Sequence, residues 1–208
     1  MMNASSQHEA PWRSGLPLPI QTARLVLRPC REGDGVALAA AVAESYGDLH
    51  PWFHDGMRTR EDEIDPIWQE VVVCRSLAQF KSRERLQFLA FSKEEELIGS
   101  IELFEPDWRR RAFRLAYWVR SGAQRRGYGM EANIAVLRFA FDVLKARRMT
   151  VGHAAPNVAS ARLIKKLGFG DLSRMPLGSE MPGARFVDGI SYVMTDDSRL
   201  PTIPVSWG

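Results

Sequence analysis

The chain has 208 residues, 45% apolar and 25% charged, proportions that exclude a disordered or fibrous protein and suit one domain with a sizeable core. Its net charge of +3 is too small to imply nucleic acid by itself. That charge is an average over unlike halves: residues 1–104 carry 11 Lys/Arg against 16 Asp/Glu, residues 105–208 carry 17 against 9.

Residues 1–20, rich in Pro and Ser, read as a loose arm without the apolar core of a signal peptide. Thr22–Arg28 alternates apolar and polar residues and predicts a strand. Asp34 is positioned to cap an alanine-rich helix from Gly35 to about Tyr46, followed by an aromatic loop, Gly47 to Gly56, with Gly, Pro and Asp at its turns. The apolar run Val36–Ala43 inside that helix is far too short to span a bilayer. Thr59-Arg60-Glu61-Asp62 resembles a capping box. The helix after it, with Ile64, Ile67, Trp68, Val71 and Val72 on one face, either starts twice or begins at Pro66 under an Asp65 cap.

Residues 87–92 and 97–104 predict a hairpin turning at 93–96, and Ala112–Val119 a strand with Phe113, Leu115, Tyr117 and Val119 on one face. Met130, Ile134, Leu137, Phe141 and Leu144 recur at helical spacing, to about Ala146. A strand over 149–154, a helix over 159–167 ended by Gly168, a Gly/Pro/Met-rich loop over 175–185 and a last strand over 189–194 complete the domain. The expected division is an arm (1–20), one domain (21–198) and a tail (199–208). The element order indicates an α/β domain with a mixed sheet. Cys30 and Cys74 form no metal-binding or disulfide pattern, so a reduced cytoplasmic protein without metal or membrane attachment is expected.

Gln124-Arg125-Arg126-Gly127-Tyr128-Gly129 lies between a strand and a helix. The first turn of a helix leaves N–H groups unpaired and carries partial positive charge. Two glycines let a phosphate oxygen approach the backbone, and two arginines add formal charge. The same hexapeptide also suits a plain tight turn. No Gly-Lys-Ser/Thr is present, and Ala132 stands where a dinucleotide fingerprint needs its third glycine, which weakens ATP and nicotinamide readings.

The stretch 119–130 (V-R-S-G-A-Q-R-R-G-Y-G-M) resembles the acetyl-CoA motif of the GNAT acetyltransferases. Asn157-Val158-Ala159-Ser160-Ala161-Arg162-Leu163, running into Lys166-Leu167-Gly168-Phe169, resembles that family's next block. Tyr117-Trp118-Val119 and Leu49-His50-Pro51-Trp52 are similar to the RimJ/RimL-like branch, which acetylates protein N-termini, ribosomal proteins among them. The resemblance extends from about Thr22 to Thr195. It implies the acyl-CoA N-acyltransferase fold, a mixed and mostly antiparallel sheet splayed at the cofactor site and flanked by helices.

It also implies roles. Trp118, Val119 and Arg120 would hydrogen-bond the pantetheine arm of acetyl-CoA, joined by Asn157. Gln124, Arg125, Arg126, Gly127, Tyr128, Gly129 and Met130 would hold the pyrophosphate, and Lys165 or Arg162 would reach a phosphate. The reaction is direct attack of an amine on the thioester, with a backbone N–H near Val119 stabilising the oxyanion. The tyrosine that many members use as leaving-group acid is Ile164 here, which makes Ser160 the candidate to hydrogen-bond the departing sulfur. A serine at a helix start also suits a cap. The usual glutamate base reads Arg114, so Glu102 and Glu180 are the candidate bases, although each reads more readily as a solvated surface carboxylate, with a water relay as a further route. Trp52, Phe53 and His54 are candidate acceptor-binding residues, and Glu61-Asp62-Glu63 with Asp65 would suit a cationic amine. His153 reads as packed or hydrogen-bonded, and Arg109–Arg111 as a solvated turn.

The leading expectation is N-acetyl transfer to a protein N-terminal α-amine. A small-molecule amine (an aminoglycoside, polyamine or amino acid) stays open as acceptor. So does a non-catalytic acyl-CoA sensor, given Ile164 and Arg114. A nucleic-acid module using the arginine cluster predicts steeply salt-dependent binding, but the 109–126 stretch has no recognisable motif for it. A homodimer is plausible for the family.

Overall fold

A computed structural model of the chain describes residues 15–53 and 57–208. Strands β1 (Ile20–Gln21) and β2 (Leu25–Arg28) precede helices α1 (Gly35–Phe53), α2 (Arg60–Glu63) and α3 (Pro66–Ser82). Strands β3 (Leu86–Ser92), β4 (Leu97–Asp107) and β5 (Ala112–Val119) follow, and a 3-10 turn over Ser121–Ala123 leads into α4 (Tyr128–Asp142). The chain continues through β6 (Arg148–Ala154), α5 (Val158–Lys166), β7 (Gly170–Met181), β8 (Arg185–Met194) and β9 (Ser206–Trp207). All the strands join one sheet in the order β7-β8-β6-β5-β4-β3-β2-β1-β9. Among the described residues only the β5–β6 pair is parallel. Among the described residues no helix is long and apolar enough to cross a membrane.

Period-two alternation gives the central strands two apolar faces. In β3, Leu86, Phe88 and Ala90 enter the larger core, which includes Ile134, Leu137 and Phe139 of α4. Leu89 and Phe91 face the other way, against Leu38, Ala41 and Val42 of α1 and Val73 of α3. Such two-sided burial makes the sheet the middle layer between helices.

Several local expectations change. Helix α1 runs on to Phe53, with Pro51 inside its last turn. There the missing N–H removes a single helical bond, so Gly47 and Pro51 do not act as turn signals. Both Asp34 oxygens are taken by Arg28, each at 2.7 Å, and one also accepts the Arg31 N–H. The α1 N-terminus is capped from another helix: Glu70 of α3 accepts the N–H groups of Gly33 (2.8 Å) and Gly35 (2.9 Å). A Cβ at Gly35 would lie 2.6 Å from that carboxylate, so this cap requires glycine.

The helix after Thr59 does start twice, Thr59 capping α2 and Asp65 capping α3. Its buried face is Gln69, Val73, Ser76 and Phe80, while Ile67 and Val71 are exposed. The 175–185 stretch is no loop, since β7 and β8 form a long hairpin bulged between Met175 and Ser179. Part of the expected arm and tail is structural as well: Ile20 is fully buried, and Trp207 and Ser206 pair with β1. Residues 1–14 of the expected arm lie outside the described residues.

Candidate active site

Strands β5 and β6 pair from Ala112–Arg148 as far as Leu115–Val151 and no further. Beyond that point β5 stays paired with β4 through Val119, while β6 pairs with β8 through Ala154. The sheet therefore splits between them, and the β6-facing main chain of residues 116–119 has no strand partner. The split opens into a cleft of about 1410 Å³. Its walls are the ends of β5 and β6, the N-termini of α4 and α5, the end of α1 and part of the β7–β8 hairpin.

At one end of the cleft stands the N-terminus of α4. Its first helical bond runs from Glu131 N–H to Gly127 C=O (3.1 Å), so the N–H groups of Tyr128, Gly129 and Met130 are left free by the helix. Arg125 (φ 58°) and Gly127 (φ 84°) are both left-handed. A non-glycine residue meets a steric cost there, and such turns gather successive N–H groups into an anion-binding concavity. Gly129 also has a packing role, because a Cβ would sit 3.2 Å from the Val119 side chain.

Two neighbours brace this loop. From α1, Ser45 accepts the Ser121 N–H (2.9 Å), Asp48 bonds the Ser121 hydroxyl, and Glu44 binds both Arg120 and the Gly122 N–H. The Arg120 hydrogen bond holds Glu44 below the usual carboxylate range, against a small effect of burial. From the β1–β2 link, Arg24 bonds Glu131 (2.7 Å) and the Arg126 carbonyl (3.0 Å) and covers the Tyr128 ring.

At the other end, Asn157 caps α5 by accepting the Ser160 N–H (3.0 Å). Ser160 is thus not the cap, and its Oγ instead lies 2.8 Å from the Tyr117 hydroxyl. Burial pushes the Tyr117 phenol up to about 12, with the Ser160 hydrogen bond acting the other way. His153, on β6, also lines the cleft; its Nδ1 lies 2.8 Å from the Ala154 carbonyl and its Nε2 3.2 Å from the Tyr192 hydroxyl. The carbonyl only accepts, so Nδ1 donates to it.

The cleft brings together Ser160, Glu180, Trp118, Val119, Gln124, Arg125, Gly127, Gly129, Met130 and Asn157, with Trp52 and Phe53 at its α1 wall. Among the described residues, five of those expected, Arg120, Arg126, Tyr128, Lys165 and Glu102, are not in its lining. Arg120 is occupied by Glu44 and Glu96. Arg126 stacks on Tyr128, and both belong to the Arg24 brace. Lys165 is exposed on α5, where Arg162 and Lys166 line the cleft instead. Glu102 is paired with Arg85 (2.6 Å) on the face of β4 away from the larger core, and burial raises its pKa although Arg85 pulls it down. His54 lies outside the described residues.

The acidic run 61–65 does not reach the cleft either. Asp65 caps α3 and Glu63 accepts the Arg58 N–H, while the cleft's carboxylates are Asp48 and Glu180. Ile164 is wholly buried and presents no group to the cleft. Sequence reasoning gave Tyr117 no role in the site. Its signal was a hydroxyl-bearing ring in register with the core-facing residues of β5, two positions before Val119.

An extended arm suits the split between β5 and β6, and an anionic end suits the left-handed loop at α4, so the residues present fit a coenzyme A molecule. The family model described as an acetyltransferase (GNAT) domain matches residues 24–170. No curated protein matches the chain. Among solved structures, a ribosomal-protein-S5-alanine acetyltransferase from Vibrio fischeri aligns with TM-score 0.77 and 18% identity, over 88% of this chain and 100% of that one. Mycobacterium smegmatis RimJ in complex with a CoA disulfide aligns with TM-score 0.78 and 21% identity, over 93% and 92%. A RimL ribosomal L7/L12 α-N-protein acetyltransferase in complex with coenzyme A aligns with TM-score 0.76 and 17% identity, over 85% and 97%. At such identities the likeness is one of fold, and it agrees with the expected splayed, mostly antiparallel sheet. The family match extends over more than half the chain, and with the split sheet and braced helix N-terminus it makes this protein a member of the GNAT acetyltransferases, a family of acyltransferases that use acetyl-CoA.

Proposed function

We propose that the chain transfers an acetyl group from acetyl-CoA to a protein N-terminal α-amine. The carrying observation is one continuous cleft that joins the α4 N-terminus, the split between β5 and β6, Ser160 and Glu180. The fold likeness along nearly the whole chain to enzymes named for ribosomal-protein N-termini supports the acceptor class.

Acetyl-CoA, when bound, supplies the acetyl group as a thioester. The N–H groups at the start of α4 and the side chain of Arg125 hold its pyrophosphate, and the unpaired edge of residues 116–119 holds its arm. The β4 pairing fixes the main chain at Val119 before the reaction, and its N–H would stabilise the charge that develops on the acyl oxygen. The amine attacks the acyl carbon as the carbon–sulfur bond breaks. The Ser160 hydroxyl donates a hydrogen bond to the departing sulfur and keeps its proton, and Glu180, exposed at the opposite wall, takes the proton from the amine, which passes by way of water to the thiolate. Trp52 and Phe53 flank the mouth by which an extended chain terminus enters.

The test is turnover with acetyl-CoA on a panel of peptides with free α-amines, their lysine-only counterparts, and small amines. Acetylation of the α-amine peptides alone supports the reading. Selective turnover of small amines overturns the acceptor class, and tight acetyl-CoA binding with no turnover on any amine overturns the enzymatic reading.

A further inference from the structure

We infer that Tyr117 is a positioning residue that sets the direction of the Ser160 hydroxyl, so that the serine hydrogen points into the cleft. The inference rests on the reading of Ser160 as the donor to the departing sulfur. Among the described residues the phenol oxygen lies within hydrogen-bond reach of the Ser160 Oγ at 2.8 Å and the Ser160 carbonyl oxygen at 3.5 Å. The carbonyl only accepts, and at that distance it is a poor partner. The good bond available to the phenol hydrogen is therefore the serine oxygen. A serine hydroxyl that accepts a bond on one lone pair has its own hydrogen free for another acceptor.

The rest of Ser160 is fixed by separate means. Its N–H is held by the Asn157 cap, and α5 fixes its backbone. Without a partner, the remaining freedom is the side-chain rotamer and the rotation of its hydrogen, which is what Tyr117 restricts. Tyr117 reaches across the split from β5 to α5 and thereby ties the arm-binding edge to the serine.

Tyr117 does not itself give up a proton. With its phenol pushed up to about 12, and an alkyl thiol titrating at ~8.5, transfer from phenol through serine to the sulfur runs uphill by more than three powers of ten. Tyr117 keeps its hydrogen throughout and polarises Ser160, whose O–H supplies a hydrogen bond to the sulfur. The thiol proton is then drawn from water or from the amine's own released proton. No oxidation or additional reagent is involved.

The experiment is a double-mutant cycle of Tyr117→Phe and Ser160→Ala in the full chain, with the α-amine peptide as acceptor. Thermal melting and calorimetric acetyl-CoA affinity serve as controls for folding and for the cleft. Tyr117→Phe should lower kcat about tenfold, one hydrogen bond's worth of transition-state stabilisation, with acetyl-CoA affinity unchanged within about twofold. In the Ser160→Ala background the same change should have no further effect. A Tyr117→Phe enzyme with wild-type kcat, or one whose loss multiplies fully with that of Ser160→Ala, overturns the Tyr117 inference while leaving the acetyltransferase reading intact. A wild-type enzyme that turns over no amine overturns both.

Discussion

Gly99→Ala places the smallest possible strain on the strand that borders the cleft. Gly99 pairs with Val119 across β4 and β5, and a Cβ built there lies 2.2 Å from the Trp118 carbonyl oxygen and 3.0 Å from the Val119 Cα. Ordinary contact begins at 3.4 Å, so about 1.2 Å of separation is needed, and both obstacles are backbone atoms with no rotamer to yield. A separation of that size takes an inter-strand hydrogen bond from ~2.9 Å to beyond 4 Å, where it no longer counts as one. Overpacking costs about 1–3 kcal/mol and a lost backbone bond about 1 kcal/mol more. For a domain of this length roughly 3 kcal/mol lowers the melting temperature by about 6–12 °C. Because the displaced atoms belong to Trp118 and Val119, acetyl-CoA affinity should fall with it. Differential scanning calorimetry and an acetyl-CoA titration measure the two effects. A variant that melts within about 2 °C of the wild type and binds acetyl-CoA equally well would refute the reasoning.

Gly127→Glu combines a left-handed backbone position (φ 84°) with a carboxylate at the proposed pyrophosphate cradle, and should abolish acetyl-CoA binding in a calorimetric titration; undiminished affinity sinks the cradle assignment. Glu180→Gln should lower kcat with an α-amine peptide by at least tenfold, whereas Glu102→Gln, outside the cleft lining and paired with Arg85, should leave kcat within about twofold. The reverse pattern would exchange the two roles. The Arg120 hydrogen bond keeps Glu44 below the ordinary carboxylate pKa, so its stabilisation is fully present above that range and is lost as pH falls through the lowered value. Melting temperatures of wild type and Glu44→Gln should therefore differ most near neutrality and converge on acidification; a gap that widens toward low pH contradicts the clamp.

Much of the site was legible because it is local in sequence. The helix N-terminus at Gly127–Met130 and the Asn157–Ser160 turn each depend on residues within a few positions of one another, and a contiguous motif carries that information. The strand-to-helix alternation from Ala112 to Lys166 was legible for the same reason, since period two and period 3.6 are properties of a single segment. Arg120 illustrates what was hidden. Its place in the motif is readable, but its partners Glu44 and Glu96 are 76 and 24 positions away, and nothing local indicates that its charge is already used. Tyr117 was hidden differently: its partner Ser160 lies 43 positions on, and only the failure of β5 and β6 to pair beyond Leu115 brings α5 against it. Likewise the exposed Ile67 and Val71, apolar at helical spacing, reflect which neighbour α3 happens to meet.

The sequence by itself determined the family, through the motif resemblance of residues 119–130 and 157–169, and the fold class, through apolar periodicity, and it offered the turn before Gly129 as the proposed cofactor loop. The mild +3 charge splits into an acidic and a basic half, and the basic half carries the proposed cofactor loop. Which acidic groups share the cleft was decided only by the tertiary structure. It turned Glu63 and Asp65 to internal hydrogen bonds and capping, left Asp48 and Glu180 on the cleft walls, and set the Tyr117 hydroxyl on Ser160. Those outcomes depend on contacts between segments tens of residues apart, whose distances no single stretch of chain encodes.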